Sequence, residues 1–200
     1  MGIKTFWLEP SGNIRRSLRI YESADKPCTA EMSYHNAALP IDEIPVSYDE
    51  EGYVNNRTDW DFTDPRFPTV CKCGWIFTNK AQKQLFIEEL YTCKASGIIT
   101  TLREASPGAM WNAWWMKSLG LNLQDNMFLA VICPDGQQWL IDSRASNCTM
   151  KEDNIHKCWC RHGVPPNITV DKNGNTCQAG GGSIQTGKYH GFLQNGEFNP

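Results

Sequence analysis

His156-Lys157-Cys158-Trp159-Cys160-Arg161-His162 is the stretch on which the reading of this chain turns. If it is extended, alternate residues point to one face, and the thiols and imidazoles converge there. Cys148 lies shortly before it and Cys177 shortly after. Cys28, His35, Cys71 and Cys73 form a second clump in the first half of the chain. In all, the 200 residues hold nine cysteines and four histidines. Such clumps hold either a structural metal or a set of disulfides, and the choice between them sets the compartment.

Met1-Gly-Ile-Lys-Thr-Phe-Trp-Leu-Glu9 contains no apolar stretch long enough for a signal peptide, and no later segment is long enough to span a bilayer. The expected compartment is therefore a reducing interior, where clustered cysteines are more often metal ligands. Asn56-Arg57-Thr58, Asn147-Cys148-Thr149 and Asn167-Ile168-Thr169 fit the glycosylation pattern, and without an export signal they read as chance matches. Disulfides such as Cys148–Cys158 or Cys160–Cys177 stay open as the alternative for the second clump.

Cys71-Lys72-Cys73-Gly74 places a thiolate pair before a glycine, which suits a tight knuckle whose backbone N–H groups point at the sulfurs. The spacing is C-x-C, weaker as a signature than C-x₂-C. With Cys28 and His35 as the nearest upstream partners, a closed Cys₃His zinc site follows. Cys148, His156, Cys158 and Cys177 make a second such set, leaving Cys160 and His162 as spares. One or two zinc ions are expected. The plainer reading of Cys28 is a buried small apolar residue, and of His35 a hydrogen-bonded core histidine. Cys93 and Cys133 stand in apolar strand contexts and read as core.

The expected fold class is α+β and β-rich, with antiparallel hairpins and one or two short helices pinned by the Cys/His sites. Lys4–Glu9 and Ile14–Tyr21 read as strands joined by a Pro10-Ser-Gly-Asn13 turn. Residues 36–68, rich in Pro, Asp, Asn and Gly, read as a long irregular excursion. Gly74–Thr78 reads as a short aromatic strand, and Thr78 as the cap of a helix from Asn79 to about Tyr91, where Leu85, Phe86, Glu89 and Leu90 are spaced near 3.6. Ile98–Leu102 follows as a strand. Pro134-Asp135-Gly136 and Gln194-Asn195-Gly196 each sit between strand-like runs and predict hairpins. Residues 1–200 read as a single domain, with 104–126 the one candidate boundary.

Hydrophobic residues at 40% and charged residues at 20% are ordinary for a globular chain. A net charge of −3 argues against nucleic acid, which needs a basic footprint. Arg15, Arg16 and Arg19, the only basic run, read as a solvated strand face. Gly182-Ser-Ile-Gln-Thr-Gly187-Lys188 matches a phosphate-loop spacing. However, Tyr189 stands where Ser or Thr is needed, and only 12 residues follow Lys188, too few for the helix. H-E-x-x-H is absent, and no catalytic residue is assigned. Thiol–histidine pairs such as Cys158 or Cys160 with His162 or His190 are arithmetically possible without diagnostic spacing. Trp111, Trp114 and Trp115 share a helical face at i, i+3 and i+4. Core packing explains such a cluster, and an aromatic anchor for a protein partner is the functional reading.

Several further stretches go together: Phe6-Trp7-Leu8-Glu9-Pro10-Ser11-Gly12, Asp64-Pro65-Arg66-Phe67-Pro68 and Pro107-Gly108-Ala109-Met110-Trp111. Trp139-Leu-Ile-Asp-Ser-Arg-Ala-Ser-Asn-Cys148, Cys158-Trp-Cys-Arg-His-Gly163 and Tyr189-His190-Gly191-Phe192-Leu193 complete the set. With them the chain resembles, over most of its length, a family of conserved hypothetical Cys/His-rich proteins encoded by tailed bacteriophages and prophages. The resemblance implies a source and no mechanism. It implies that the second cluster is supportive, since members that keep the Tyr-His-Gly ending can lack it, and it draws attention to Tyr189-His190-Gly191. The expectation is a phage accessory protein that binds a protein partner of the host or the virion, located in host cytoplasm or in particles. A virion structural component and a metal- or thiol-dependent enzyme are the alternatives.

Overall fold

The computed structural model describes residues 2–23, 28–29, 34–41, 62–119, 125–153, 155–179 and 181–200. They are β-rich, and the only helical element among them is a 3₁₀ helix, η1 (Trp114–Leu119). The strands are β1 (Ile3–Lys4), β2 (Phe6–Trp7), β3 (Glu9–Glu22), β4 (His35–Ile41), β5 (Gln82–Thr92), β6 (Ile99–Thr100) and β7 (Ala109–Asn112). They continue with β8 (Leu129–Ile132), β9 (Gln138–Leu140), β10 (Cys160–Val164), β11 (Asn167–Asp171), β12 (Ile184–Thr186), β13 (Tyr189–Gln194) and β14 (Glu197–Asn199). The chain divides into two compact units, Met1–Ser11 with Tyr91–Pro200, and Gly12–Leu90. The divisions fall at 11/12 and 90/91, and the described part of 104–126 lies inside the larger unit.

In the larger unit, β2 joins β7, β8 and β9 in one sheet, and β1, β14, β13, β11 and β10 follow one another in a second, with β12 on β13. The central strands β7 and β8 are buried on both faces, which is why they read as unbroken apolar runs. Met110, Leu129 and Val131 enter one core cluster with Ile168, Leu193 and Phe198. Their neighbours Ala109, Trp111, Ala130 and Ile132 enter another with Leu8 and Tyr91. Cys133 and Cys93 are buried in these cores, as expected.

Two of the three predicted hairpins form. Across Pro134-Asp135-Gly136, β8 and β9 pair with Ile132 opposite Gln138. Gln194 pairs with Glu197, and Asn195 and Gly196 take φ of 49° and 73°. Two consecutive positive φ values make the type I′ turn whose twist matches the flanking strands.

Gly74–Thr78, expected as a short strand, makes only an isolated bridge at Ile76, and two larger elements also differ from expectation. The first is the hairpin between Lys4–Glu9 and Ile14–Tyr21. Instead the chain runs straight on through Pro10-Ser11-Gly12-Asn13 as β3. Phe6 and Trp7 pair in parallel with Ala109 and Met110, while Ile3 pairs with Phe198. Only Gly12 takes positive φ there, at 75°, and one such residue kinks a strand without reversing it.

The second is the helix over Asn79–Tyr91, which is strand β5. Leu85 packs beside Leu18, Ile20, Ile41 and Phe67. The next residue, Phe86, instead takes the Arg19 guanidinium 4.6 Å from its ring centroid. Consecutive side chains with opposite surroundings are a strand's signature, and pairing with β3 overrides the helical spacing.

The smaller unit is built on β3 and β4, paired antiparallel from Arg16–Ile41 to Glu22–His35. Part of the expected irregular excursion is thus strand, and 42–61 lies outside the described residues. The basic run is not simply solvated. Arg16 is 3% exposed, and Arg15 pairs with Glu88 at 2.9 Å. Among the described residues no helix is long and apolar enough to cross a membrane.

Candidate metal centres

Each unit holds one Cys/His group. In the smaller unit, Cys71 and Cys73 sit on a knuckle closed by an isolated bridge between Val70 and Ile76. Cys71 N–H donates to Trp75 O and Gly74 N–H to Cys71 O, both at 2.8 Å. Gly74 takes φ of 87°, a region that favours glycine, which explains the glycine after the C-x-C. Cys28 follows β3, and His35 opens β4. Cys28 Sγ lies 3.8 Å from Cys71 Sγ, and His35 Nδ1 lies 3.2 Å from Cys73 Sγ.

Outer contacts fix these ligands. The His35 ring stacks on Trp75, centroids 4.6 Å apart. Glu22, opposite His35 in the register, accepts hydrogen bonds from Trp75 Nε1, Thr78 N and Thr78 Oγ1. Thr78, read from the sequence as a helix cap, is bound to this carboxylate instead. Its hydroxyl and amide hold Glu22 below the usual carboxylate range. The Cys73 thiol is lowered to about 6, mainly by the Trp75 backbone N–H.

In the larger unit, Cys148, His156 and Cys158 come from the connection between β9 and β10, and Cys177 from that between β11 and β12. A parallel bridge between Lys157 and Thr176, with Lys157 N–H donating to Asn175 O at 2.9 Å, lays Cys158 beside Cys177. His156 Nε2 lies 3.3 Å from Cys148 Sγ and 3.7 Å from Cys158 Sγ. Cys177 Sγ lies 3.6 Å from Cys158 Sγ and 4.0 Å from Cys148 Sγ. All are buried, His156 and Cys158 fully so.

The surroundings of this group are equally defined. His156 Nδ1 faces Asp153 O at 3.4 Å, leaving Nε2 for the sulfurs, and Asp153 Oδ1 accepts from the His156 and Ile155 amides. The Arg144 guanidinium donates to the Met150, Lys151 and Asp153 carbonyls and holds that loop. Lys172 Nζ donates to Cys158 O and Ala179 O at 2.5 and 2.9 Å, joining the two ligand segments. Burial pushes Cys158 up to about 12. At Cys177 burial is outweighed by N–H donors, the Ala179 amide first, and the thiol falls to about 6.

None of the nine cysteines forms a disulfide, so Cys148–Cys158 and Cys160–Cys177 are not paired. Within each group the ligand atoms all lie within 4.8 Å of one another, so Cys28/His35/Cys71/Cys73 and Cys148/His156/Cys158/Cys177 are both able to hold a metal ion. A tetrahedral ion with metal–sulfur bonds of about 2.3 Å separates sulfurs by about 3.8 Å. The Cys28–Cys71, Cys158–Cys177 and Cys148–Cys177 spacings fit that edge. Cys160 and His162 stand apart, because strand β10 starts only at Cys160 and the alternation expected from His156 onward does not reach back. His162 Nε2 binds Asp171 Oδ1 at 3.0 Å. Burial pushes the Cys160 thiol up, away from a nucleophilic thiolate.

The other candidates separate cleanly. Trp111 is fully buried on β7, so the expected helical face with Trp115 does not exist, and its place as a partner anchor is corrected to core. Trp114 and Trp115 remain together on η1, rings edge to face at 5.8 Å, with Trp115 39% exposed. Gly187-Lys188 is the turn between β12 and β13, with Thr186 opposite Tyr189, and no phosphate-binding helix follows it. The Asp135 carboxylate caps this turn by accepting from Lys188 N and Tyr189 N, a contact that no local pattern signals because the partners are more than 50 residues apart.

His190 lies on the exposed face of β13, its Nε2 3.0 Å from Ser183 Oγ. The glycine of Tyr189-His190-Gly191 has a packing reason. The Tyr189 hydroxyl donates to Asn199 O at 2.8 Å across Gly191, where a Cβ would come within 2.2 Å of that oxygen. No family model, curated protein or solved structure matches the chain.

Proposed function

We propose that each unit is held by one structural zinc ion and that the chain acts as a protein-interaction module, an accessory protein of a tailed phage. The observation that carries the zinc reading is the ligand geometry. Two sets of four, each Cys₃His, bring their ligand atoms within 4.8 Å of one another, with one sulfur pair at 3.8 Å in the first and two at 3.6 and 4.0 Å in the second. Thiolate and imidazole donors at such spacing suit zinc, and four protein ligands close the tetrahedron, the mark of a structural site. Residues 28, 35, 71 and 73 would hold one ion, and residues 148, 156, 158 and 177 the other. Zinc would supply cohesion to segments that have little core of their own.

The interaction reading rests on Trp115 with Trp114 on η1, a large aromatic surface for a partner of the host or the virion. The phage origin rests on the resemblance alone, and host cytoplasm or the particle is the location it supports. The thiol-enzyme alternative is weaker, since the raised Cys160 lacks thiolate character and His162 is engaged by Asp171.

The test is ligand substitution with metal counting. Cys73→Ser and Cys158→Ser should each lower bound zinc by one ion per chain, with amide signals lost only in the unit concerned. Unchanged zinc in either variant contradicts the assignment.

A further inference from the structure

We propose that the outer face of β3 and β5, in the smaller unit, binds a small anion built on a flat ring, with Arg19 as its cationic anchor. Nucleoside monophosphates and aromatic acids share that chemistry. From Leu18 to Glu22, β3 alternates: Leu18, Ile20 and Glu22 are buried, and Arg19 and Tyr21 are half-buried. Alternation on a strand sends Arg19 and Tyr21 to the same face. The inner face packs Leu18 and Ile20 with Phe67 and Leu85. The outer face carries an open cavity of about 300 Å³ lined by Arg19, Tyr21, Ser23, Tyr34 and Gln84.

That lining holds one cation and no carboxylate, in a chain whose net charge is −3. Glu22 is turned to the inner face, on Thr78, and Glu88 is taken by Arg15 at 2.9 Å. The Arg19 guanidinium sits 4.6 Å from the Phe86 ring centroid, a contact that orients it and uses none of its N–H donors. It makes no hydrogen bond or ion pair among the described residues. An oriented guanidinium with its donors unspent binds a carboxylate or phosphate through charge-assisted hydrogen bonds.

The aromatic wall decides the body of the ligand. Tyr21 is pinned by its hydroxyl donating to Gln82 Oε1 at 2.5 Å, and Tyr34 meets it edge to face with centroids 6.2 Å apart. Tyr34 is 39% exposed, so aromatic surface is left beside the cation for a flat ring to pack on. The Ser23 hydroxyl and the Gln84 carboxamide are neutral groups suited to polar ring substituents. A single cation matches one anionic group, not the succession of phosphates along a nucleic-acid strand. None of the five lining residues belongs to either Cys/His group, so the site stands whichever ion those groups hold.

AMP and benzoate are the probes, titrated calorimetrically into the full metal-loaded chain at neutral pH. Saturable binding of at least one is expected, and the tighter of the two tells a nucleotide from an aromatic acid. Adenosine and benzamide lack the charge and ribose 5-phosphate lacks the flat ring, so each should bind at least about ten-fold more weakly than its charged, ring-bearing counterpart. Arg19→Gln should weaken the anion by about ten-fold or more, and Tyr34→Ala by about five-fold or more, with metal content unchanged. In wild-type chain the bound anion should shift the Arg19, Tyr21, Ser23 and Gln84 amides in a two-dimensional NMR spectrum, a reading that needs no variant. No saturable binding of either probe, equal binding of the uncharged or ringless compounds, equal affinity in a metal-replete Arg19→Gln, or shifts confined to other residues each overturns the proposal.

Discussion

The imidazole of His35 lies flat on the indole of Trp75, ring planes 10° apart, while that indole donates its N–H to Glu22. The stack fixes the plane of the ring, with Nδ1 3.2 Å from Cys73 Sγ. Partners one shell out from a metal typically change affinity by about 10–100-fold when removed. Trp75→Ala and Glu22→Gln should therefore weaken metal binding in the smaller unit by about that factor, read by competition with a chromophoric chelator. An affinity equal to wild type in both would show that the stack has no part in the site.

Trp111 and Trp115 differ in environment and should differ in consequence. Trp111 is fully buried among Leu8, Tyr91 and Phe128, so Trp111→Ala should cost about 3–5 kcal/mol in denaturant unfolding. Trp115→Ala, at a side chain 39% exposed, should cost clearly less stability than Trp111→Ala and abolish capture of the partner. A large stability loss at Trp115 would move it from the interaction surface into the structure.

Gly191 should tolerate no side chain. A Cβ there would stand 2.2 Å from Asn199 O and 2.4 Å from the Tyr189 hydroxyl, so Gly191→Ala should destabilise by about 1–3 kcal/mol through forced displacement. Tyr189→Phe should cost about 1 kcal/mol, the worth of one hydrogen bond. Thermal melts that leave Gly191→Ala unchanged would contradict the crossing.

These contrasts show where the sequence was legible. Cys148, His156, Cys158 and Cys177 were readable because thiols and imidazoles are rare and clumped. Asn195-Gly196 was readable because a type I′ turn is chosen by its own two residues. The 82–92 segment was not, because Leu85 and Phe86 are sorted by β3 and its neighbours, far away in sequence. Thr78 looked like a cap because its true partner, Glu22, is 56 residues away. Trp111 was misplaced for the same reason: strand pairing with β8, not local spacing, sets its face.

Asp135 provides a pH signature away from both centres. Burial raises its pKa, and hydrogen bonds from Lys188 N and Gln137 N more than offset this, so the carboxyl titrates below its usual range in the folded chain. A depressed folded value adds stability that is complete above the unfolded pKa and is lost as pH falls through the folded one. The stability gap between wild type and Asp135→Asn should thus be full at neutral pH and close as the solution is acidified below about pH 4. A gap that widens on acidification would reverse the sign assigned here.

Native mass spectrometry of chain purified without chelator, paired with elemental analysis, tests the zinc assignment most directly. The expected result is two zinc ions per chain, with chelation removing both and unfolding the segments that carry Cys28, Cys71, Cys148 and Cys177. A metal-free chain that keeps its fold, or a mass lowered by the hydrogens of paired thiols, would contradict it.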